Sequence, residues 1–350
     1  MPSTSSTTQS ADEQDLRHMK RAIELAAGVR TSTSPNPWVG SVLVPAKSPG
    51  STFEGATAPP GGAHAEVEAL RAAGSAASGA TLYTTLEPCS HFGRTGPCVD
   101  AIISAGVARV VVAVTDPDPK VNGNGIEVLR SAGIEVTVGT GGAEAAEQLA
   151  AYLTHRSTGR PLVVLKLAAT LDGRIAAPDG SSRWITGDDS RRDAHELRRM
   201  SDAILVGAGT VRADDPELTV RADPEPDRQP LRIVLGKAPP QARIHPAIEM
   251  TGEPGDVLDE LGGRGVLQLL VEGGATVAGE FHRAGVVDRY VLYLAPGLFG
   301  GDDAVCMFAG PGAPTMDQLW RGRIASVRQL GEDIRIELVP KNRVTGLKAA

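Results

Sequence analysis

Apolar positions along the first half of the chain follow two alternating periods. Between residues 12 and 27 they recur at Leu16, Met19, Ile23 and Ala26, the spacing of an amphipathic helix. The following short apolar runs, bounded by Gly, Pro or Asp, predict strands at 41–44, 81–85, 109–114 and 135–138. Helical runs lie between them, including 65–73 and 99–105. This alternation predicts an α/β sheet with helices on both faces.

A second alternating pattern begins after a polar helix predicted at 143–157 and the tripeptide Gly159-Arg160-Pro161. Its predicted helix covers 188–200, and its predicted strands are 162–169, 203–206, 231–235, 266–271 and 289–294. We therefore predict a disordered N-terminus at 1–11 and two domains at 12–158 and 159–345. The stretch 45–62, rich in Gly, Pro, Ser and Thr, predicts a long exposed loop.

Composition limits the class of protein. The chain has 350 residues, enough for two cores, with 41% hydrophobic and 22% charged residues, as in soluble globular proteins. A net charge of −7 without a basic block argues against nucleic acid as the main partner, although a small phosphorylated ligand needs only two or three well-placed cations. The absence of a signal peptide and of a membrane-length apolar run predicts a cytoplasmic protein without a membrane partner. Three cysteines are too few for a disulfide framework, and Cys306 is predicted to be a packed core thiol.

Three short segments supply the parts of a catalytic zinc site. They are His64-Ala65-Glu66, Pro88-Cys89 and Cys98, which follow the zinc deaminase signature with a lengthened cysteine loop. His64 and Glu66 can serve one pocket only near a helix N-terminus, and Gly61-Gly62 before the helical run puts them there. We predict His64, Cys89 and Cys98 as ligands and Glu66 as the proton shuttle. The competing interpretation is a buried histidine, a surface glutamate and two inert thiols.

Two strand–glycine–helix junctions suggest a nucleotide site in the second half. They are Gly207-Ala208-Gly209-Thr210 and Glu272-Gly273-Gly274-Ala275-Thr276. Glycine allows the backbone to approach a phosphate, and a helix N-terminus supplies N–H donors. Neither junction has the G-x-G-x-x-G pattern of dinucleotide-binding folds, and either one can serve simply to close a strand–helix connection.

The motifs in order resemble a known family. They are His64-Ala65-Glu66-Val67, the Cys89-to-Cys98 loop with its Pro-Cys-Ser-His-x-Gly-Arg-Thr sequence, residues 166–174 (KLAATLDGR) and Val271-Glu272-Gly273-Gly274. From about Asp15 to Val339 the chain resembles the bifunctional deaminase–reductases of riboflavin biosynthesis, the RibD type. The resemblance implies a cytidine-deaminase-like α/β/α domain followed by a dihydrofolate-reductase-like α/β domain. It also implies zinc, NADPH, a phosphorylated pyrimidine substrate and a homo-oligomer, a dimer.

The resemblance further implies roles for individual residues. In the deaminase it assigns zinc to His64, Cys89 and Cys98, the proton shuttle to Glu66, and substrate contacts to Asn36 and Arg94. The implied cofactor positions of the reductase are Ala168, Trp184, Thr210, Asp214, Gly274, Ala275, Thr276, Val277, Ala278, Gly279 and Glu280. Its implied substrate positions are Ser182, Arg198, Leu218, Arg221 and Glu272. Arg198 and Arg221 are predicted to clamp a phosphate, because guanidinium groups offer paired donors.

The largest departure from the family and two rival functions remain. The stretch 236–265 is short where members of the family usually have room for another strand, which would affect the reductase core or its dimer edge. A rival enzyme is a tRNA or nucleoside deaminase fused to an inactive domain; its tRNA form needs a basic stripe. A rival without catalysis is a zinc-stabilised nucleotide-binding regulator, in which Glu66 would be dispensable.

Overall fold

The computed structural model describes residues 5–48, 50–92, 96–119, 121–221 and 228–341, with the side chains of residues 5–11 excepted. The chain divides into two compact units, with the change between Thr158 and Gly159. Within the described ranges, no helix is both long enough and apolar enough to cross a membrane.

The first unit is a five-stranded mixed sheet with helices. Its elements are α1 (Ser5–Thr33), β1 (Gly40–Val44), β2 (Phe53–Ala56), α2 (Ala65–Ala73), β3 (Thr81–Thr84), α3 (Cys98–Ser104), β4 (Arg109–Val112), α4 (Asn124–Ser131), β5 (Glu135–Val138), α5 (Gly142–Gln148) and α6 (Ala150–Thr158). The strand order is β2-β1-β3-β4-β5, antiparallel at β2-β1-β3 and parallel at β3-β4-β5. The carboxyl ends of the parallel strands therefore meet at one edge, where the cysteine loop begins.

Three predictions for this unit are wrong in detail. Residues 5–11 are helical rather than disordered, because adding turns to a helix whose later part is anchored costs little. That anchor is an apolar face whose residues Met19, Ala22 and Ala26 are 0% exposed. The predicted loop at 45–62 contains β2, which pairs with β1 and forms the sheet edge. The polar helix predicted at 143–157 is two helices, separated at Leu149.

Two glycines allow the close approaches that bring the parts of the site together. A Cβ on Gly55 would lie 2.1 Å from the carbonyl oxygen of Ala65, so β2 can pack directly against the first turn of α2. A Cβ on Gly125 would lie 2.1 Å from the carbonyl oxygen of Pro88, so α4 can begin directly against the residue before Cys89. Any side chain at these two positions would force the backbones apart.

The second unit is built on an eight-stranded sheet. Its elements are β6 (Leu162–Thr170), β7 (Arg174–Ala176), α7 (Asp188–Arg199), β8 (Ala203–Gly207), α8 (Ala208–Asp214), β9 (Leu231–Leu235), β10 (Ile248–Met250), α9 (Pro254–Gly263), β11 (Gln268–Val271), α10 (Ala275–Arg283), β12 (Arg289–Ala295), β13 (Val305–Cys306), β14 (Gly322–Leu330) and β15 (Asp333–Pro340). The strand order is β10-β9-β8-β11-β6-β12-β15-β14, and β13 pairs separately with β7. The six strands from β10 to β12 in this order are parallel, whereas β15 pairs antiparallel with both β12 and β14.

Contrary to our prediction, the stretch 236–265 has room for a further strand. It contains both the edge strand β10 and helix α9, and Met250, Val257 and Leu261 belong to the buried core of the unit. The prediction was wrong because a three-residue strand has too few positions to show a hydrophobic period. Cys306 is likewise exposed rather than buried, and its thiol donates a hydrogen bond to the carbonyl oxygen of Phe308. The β14–β15 hairpin had no counterpart among the predicted strands.

Candidate active sites

The structure brings the three predicted zinc ligands together in the first unit. His64 is the N-cap of α2, Cys89 lies in the loop after β3, and Cys98 is the first residue of α3. Their ligand atoms all lie within 4.8 Å of one another, with His64 Nδ1 3.2 Å from Cys98 Sγ and 3.5 Å from Cys89 Sγ. The backbone N–H of Cys98 donates to Cys89 Sγ at 3.4 Å, as expected where a helix begins beside a thiolate.

This donor set suits zinc. One imidazole nitrogen and two thiols are the ligands of a family of catalytic zinc sites in which three protein groups leave a fourth position open. Zinc binds such atoms at about 2.0–2.3 Å, which requires them to lie within a few ångströms of one another, as they do here. Hydrogen bonds from the Cys98 thiol and from His64 lower the pKa of Cys89 to about 4, which favours the thiolate that a metal requires.

Glu66 stands in the first turn of α2, two residues after His64. Its side chain is only 3% exposed, and burial raises its pKa to about 7, with the Cys89 charge contributing in the same direction. Among the described residues, those around the site that can hold a metal are His64, Cys89 and Cys98, and Glu66 is not one of the cluster. A carboxyl group that titrates near neutral pH can both accept and return a proton.

The cluster opens into a cavity of about 350 Å³, large enough for a small nucleotide-like ligand. Asn36, His64, Glu66 and Cys89 line it, so the predicted substrate residue Asn36 faces the same space as the metal ligands. Arg94, the other predicted substrate residue, lies outside the described residues. Sequence reasoning missed four further lining residues, Asp116, Asp118, Tyr152 and Arg156. The Asp116-Pro-Asp118-Pro run after a parallel strand is the signal that points to the first two.

A buried carboxylate fixes the loop that carries Asp116 and Asp118. Glu87 is 3% exposed and accepts hydrogen bonds from the backbone N–H groups of Asp116, Gly123, Gly125 and Ile126, at 2.9–3.3 Å. Two of these donors belong to the first turn of α4, whose N–H groups have no partners within the helix. The loop opposite the zinc ligands is therefore held at both of its ends.

The second unit contains a buried group of charges on one face of its sheet. Leu165, Leu167 and Val271 face the main core, so the residues between and after them, Lys166 and Glu272, point to the opposite face. Helix α7 covers that face, and its Arg198 forms a two-pronged ion pair with Glu272 at 2.6 and 2.9 Å. Lys166 Nζ lies 3.9 Å from the same carboxylate.

The charges in this group act on one another's protonation. Burial alone raises the pKa of Glu272, but Arg198 and Lys166 outweigh it and hold the value at about 2. Burial lowers the pKa of Lys166. His195, one turn before Arg198, has a lowered pKa because of burial and the nearby arginines. Sequence reasoning included neither Lys166 nor His195 among the site residues, although Lys166 begins the KLAATLDGR motif.

Two further predicted substrate residues, Leu218 and Arg221, lie on a segment beside α7. Arg198 Nη1 donates to the carbonyl oxygen of Thr219, which brings the segment from Leu218 to Arg221 beside α7. Leu218 is buried with a φ of +52°, whereas the Arg221 side chain is 66% exposed and bound to Glu217. The backbone N–H of Arg221 donates to His195 Nδ1 at 3.4 Å. The fork of Arg198 is already occupied by Glu272, so of the two predicted clamps Arg221 is the more accessible.

The predicted cofactor residues lie on four parts of the second unit: strand β6, the loop before α7, helix α8 and helix α10. Thr210 Oγ1 accepts a hydrogen bond from the N–H of Gly274, which joins the two strand–glycine–helix junctions. Arg183 donates to the carbonyl oxygen of Asp214 at 2.6 Å, and Trp184 beside it is 71% exposed, with the Arg191 guanidinium 4.5 Å from its ring centre. Ser182 precedes this pair and is half-buried, and Ala168 lies two residues after Lys166 on the same strand face.

The predicted cofactor segment from Gly274 to Glu280 divides into two parts. At its start, the first N–H groups of α10, from Ala275 and Thr276, have no carbonyl partners within the helix and are available to a phosphate. Further on, Val277 and Ala278 belong to the apolar core, and a Cβ on Gly279 would lie 2.1 Å from the carbonyl oxygen of Ala309. Half-buried Glu280 completes this helix turn. The first turn is therefore the part of this segment that offers N–H groups to a cofactor phosphate, and the cofactor roles of residues 277–280 stay predictions.

Comparison with known proteins identifies a family for each of the two segments. Residues 12–114 match the family model of the cytidine and deoxycytidylate deaminase zinc-binding region, and residues 161–336 match that of the RibD C-terminal domain. The chain is 44% identical over 339 residues to the riboflavin biosynthesis protein RibD of Mycobacterium tuberculosis, covering 92% of this chain and 96% of that protein. It is 39% identical over 371 residues to RibD of Escherichia coli, covering 93% and 99% of the two chains.

Two solved structures have the same architecture throughout. RibD of Acinetobacter baumannii superimposes with a TM-score of 0.87 at 39% identity, covering 94% of this chain and 99% of that one. The diaminohydroxyphosphoribosylaminopyrimidine deaminase/5-amino-6-(5-phosphoribosylamino)uracil reductase of Thermotoga maritima gives a TM-score of 0.84 at 33% identity with the same coverage.

Proposed function

The chain belongs to the RibD family of bifunctional riboflavin biosynthesis enzymes, and we propose which of its residues carry the two reactions of that family. The first reaction is hydrolytic deamination of 2,5-diamino-6-(5-phosphoribosylamino)pyrimidin-4-one, with zinc. The second is reduction of the ribosyl group to ribityl, with NADPH. We assign deamination to residues 12–158 and reduction to residues 159–345, in agreement with the family segments 12–114 and 161–336.

In the deaminase, His64, Cys89 and Cys98 hold the zinc, which when bound supplies a Lewis acid that activates water at neutral pH. Glu66 lies beside these ligands in the same cavity but outside the ligand cluster. Its carboxylate accepts the proton that water gives up and passes it to the departing ammonia, work that contributes about 10²–10⁴-fold to a rate. The burial of Glu66 next to three metal ligands is the observation that carries this proposal.

In the reductase, NADPH supplies the hydride when bound, and the protein supplies position and charge. The first turn of α10, with Thr210 against Gly274, offers N–H groups for a cofactor phosphate. Trp184 and Asp214 provide further cofactor contacts, and Arg183, next to Trp184, donates to the carbonyl oxygen of Asp214. The Arg198–Glu272 pair and Lys166 present fixed charges to the substrate. Ser182, Leu218 and Arg221 complete the substrate contacts, and Arg221 is the proposed phosphate ligand.

Neither rival function fits as well. A deaminase with an inactive second domain does not explain the match of residues 161–336 to the RibD C-terminal domain or the buried charge group. Burial of a carboxyl group beside the metal ligands costs free energy, and a zinc-stabilised regulator would have no use for that carboxyl group.

Two further parts of the proposal concern assembly and location. We propose a homodimer formed at the sheet edge β14, where Ile324 and Val327 are each 58% exposed, since an exposed apolar edge strand favours pairing with another copy. We place the enzyme in the cytoplasm, because Cys306 is an exposed thiol outside the zinc site and is not in a disulfide, a state that a reducing compartment maintains.

Product mass tests the two activities together. The purified protein is incubated with the diaminopyrimidine substrate, with and without NADPH. Without NADPH we expect the mass change of an amino group replaced by a hydroxyl group, a net exchange of NH for O with release of ammonia. With NADPH we expect a further gain of two hydrogens. Unchanged substrate in both samples would contradict the proposal, and deamination alone would support the single-activity rival.

A further inference from the structure

Carboxyl groups make up most of the charged lining of the deaminase cavity. Four carboxyl groups line it, those of Glu66, Glu87, Asp116 and Asp118. Four backbone N–H groups donate hydrogen bonds to Glu87, and Tyr152 donates to Asp116 at 2.9 Å. A phosphate ester that enters this space brings up to two further negative charges and requires a positive partner.

Arg156 is the one arginine or lysine among the described residues that line this cavity. It lies on α6, on the wall that Tyr152 and Asp116 form, with its guanidinium carbon 5.1 Å from the centre of the Tyr152 ring. Its nearest anionic partner, Asp118 Oδ2, lies 3.6 Å from Nε, which is too long for a hydrogen bond. The Nε atom is buried and has no hydrogen-bond partner in the described part of the chain.

We propose that Arg156 binds the phosphate of the deaminase substrate, so that this reaction is specific for the phosphorylated pyrimidine. The inference rests on the proposed deamination and adds a specificity residue to it. The Tyr152 ring supports the guanidinium face, the loose contact with Asp118 leaves donors for an incoming anion, and the cavity joins Arg156 to Glu66 and the zinc ligands. A guanidinium offers paired donors that match phosphate oxygens.

The alternative is that Arg156 only neutralises Asp118. The two roles differ in what removal of Asp118 does. If Arg156 serves Asp118 alone, Asp118→Asn has no effect on phosphate recognition. If Arg156 binds phosphate, Asp118→Asn removes both a competitor for the guanidinium and a like charge near the substrate, and binding of the phosphorylated compound becomes tighter.

The test measures kcat and KM for deamination of the phosphorylated substrate and of its dephosphorylated analogue. The variants are Arg156→Gln, Arg156→Lys and Asp118→Asn, with Arg71→Gln on the exposed side of α2 as the matched control. We expect Arg156→Gln to raise KM for the phosphorylated compound about tenfold, the lower end for a charged hydrogen bond because the side chain is 32% exposed. Its kcat and its KM for the analogue should be unchanged. Arg156→Lys should retain part of the preference, and Asp118→Asn should lower KM for the phosphorylated compound alone.

The outcomes separate this inference from the function on which it rests. Equal losses for both compounds in Arg156→Gln, or an Asp118→Asn variant without a change in phosphate preference, would overturn the inference. A wild-type enzyme that deaminates both compounds with equal KM would overturn it as well, while leaving the deaminase assignment intact. Only a zinc-loaded wild-type protein that deaminates neither compound counts against the proposed function itself.

Discussion

The two candidate sites are built in different ways. In the first unit, His64 and Cys98 are 34 residues apart and each lies at the start of a helix, so short local segments deliver the ligands. In the second unit, Arg198 and Glu272 are 74 residues apart and meet because α7 packs over the sheet. In the zinc site, the ligands would be linked to one another by the metal that they bind. In the reductase site, the charged residues are linked by a buried ion pair, which depends on how α7 packs on the sheet.

That difference predicts different failures. A metal site with three protein ligands loses its metal when one ligand is removed, but the surrounding helices have their own core. A buried ion pair that loses one partner leaves an uncompensated charge, which destabilises the fold around it. Substitutions in the first site should therefore affect chemistry and leave the fold intact, and substitutions in the second should affect both.

The largest effect is expected from Cys98→Ala. Loss of one of the three ligands should abolish stoichiometric zinc and reduce deamination below detection, since activation of water depends on the metal. Reduction of the already deaminated compound, followed by nicotinamide absorbance, should be unchanged, because that site needs no metal. Cys306→Ala, which alters an exposed thiol, is the control and should affect neither activity. A folded Cys98→Ala protein without reduction would mean that the two sites are coupled.

Glu66→Gln should come next in magnitude. The amide is close in size to the carboxyl group but cannot take up a proton, so we expect zinc to be retained and deamination to fall at least about a hundredfold. Glu68→Gln on the same helix is the matched control, since Glu68 pairs with Arg71 at the surface. The test measures zinc content and the deamination rate of each variant. Near-normal deamination by Glu66→Gln would contradict the proton-shuttle assignment.

Arg198→Ala tests the second half of the comparison. Removal of Arg198 leaves Glu272 buried with only Lys166 nearby, so the free energy of unfolding should fall by about 3 kcal/mol, the lower end for a broken buried pair. Arg199→Ala, which removes a partly exposed arginine paired with Glu196, should change it by less than about 1 kcal/mol. Urea unfolding of both variants measures the difference. Equal stabilities would show that the pair does not hold the fold.

The pair should also give stability a defined pH dependence. The pKa of Glu272 is about 2 in the folded protein against an ordinary value of 4.5, so its contribution is fully present above pH 4.5 and is lost as the pH falls toward 2. Between those two values, unfolding should depend less on pH in Arg198→Ala than in the wild type.

The sequence predicted more of the zinc site than of the reductase site, because the first depends on local segments and the second on tertiary packing. The positions of His64 and Glu66 can be predicted from the local sequence, because the start of α2 fixes where both side chains point. Helix α2 was predicted with the bounds that the structure has. In contrast, His195 has no local signal, and the KLAATLDGR motif does not reveal the contact of Lys166 with Glu272, since both positions depend on which strand and helix pack together. The short strands β2 and β10 were missed because pairing with neighbours, rather than their own few residues, makes them strands.

The smallest effect is expected from Arg221→Ala. The Arg221 side chain is 66% exposed and already paired with Glu217, so exchange of that partner for a substrate phosphate gains less than a buried contact would. We expect a rise in KM for the phosphorylated reductase substrate of about tenfold or less, corresponding to roughly 1.4 kcal/mol, with kcat unchanged. The KM for a dephosphorylated analogue should not change. Glu217→Gln provides the opposing variant, because it frees the guanidinium and should lower the same KM. If Arg221→Ala weakens both compounds equally, the reductase holds the phosphate elsewhere, and the accessible arginine is not part of its site.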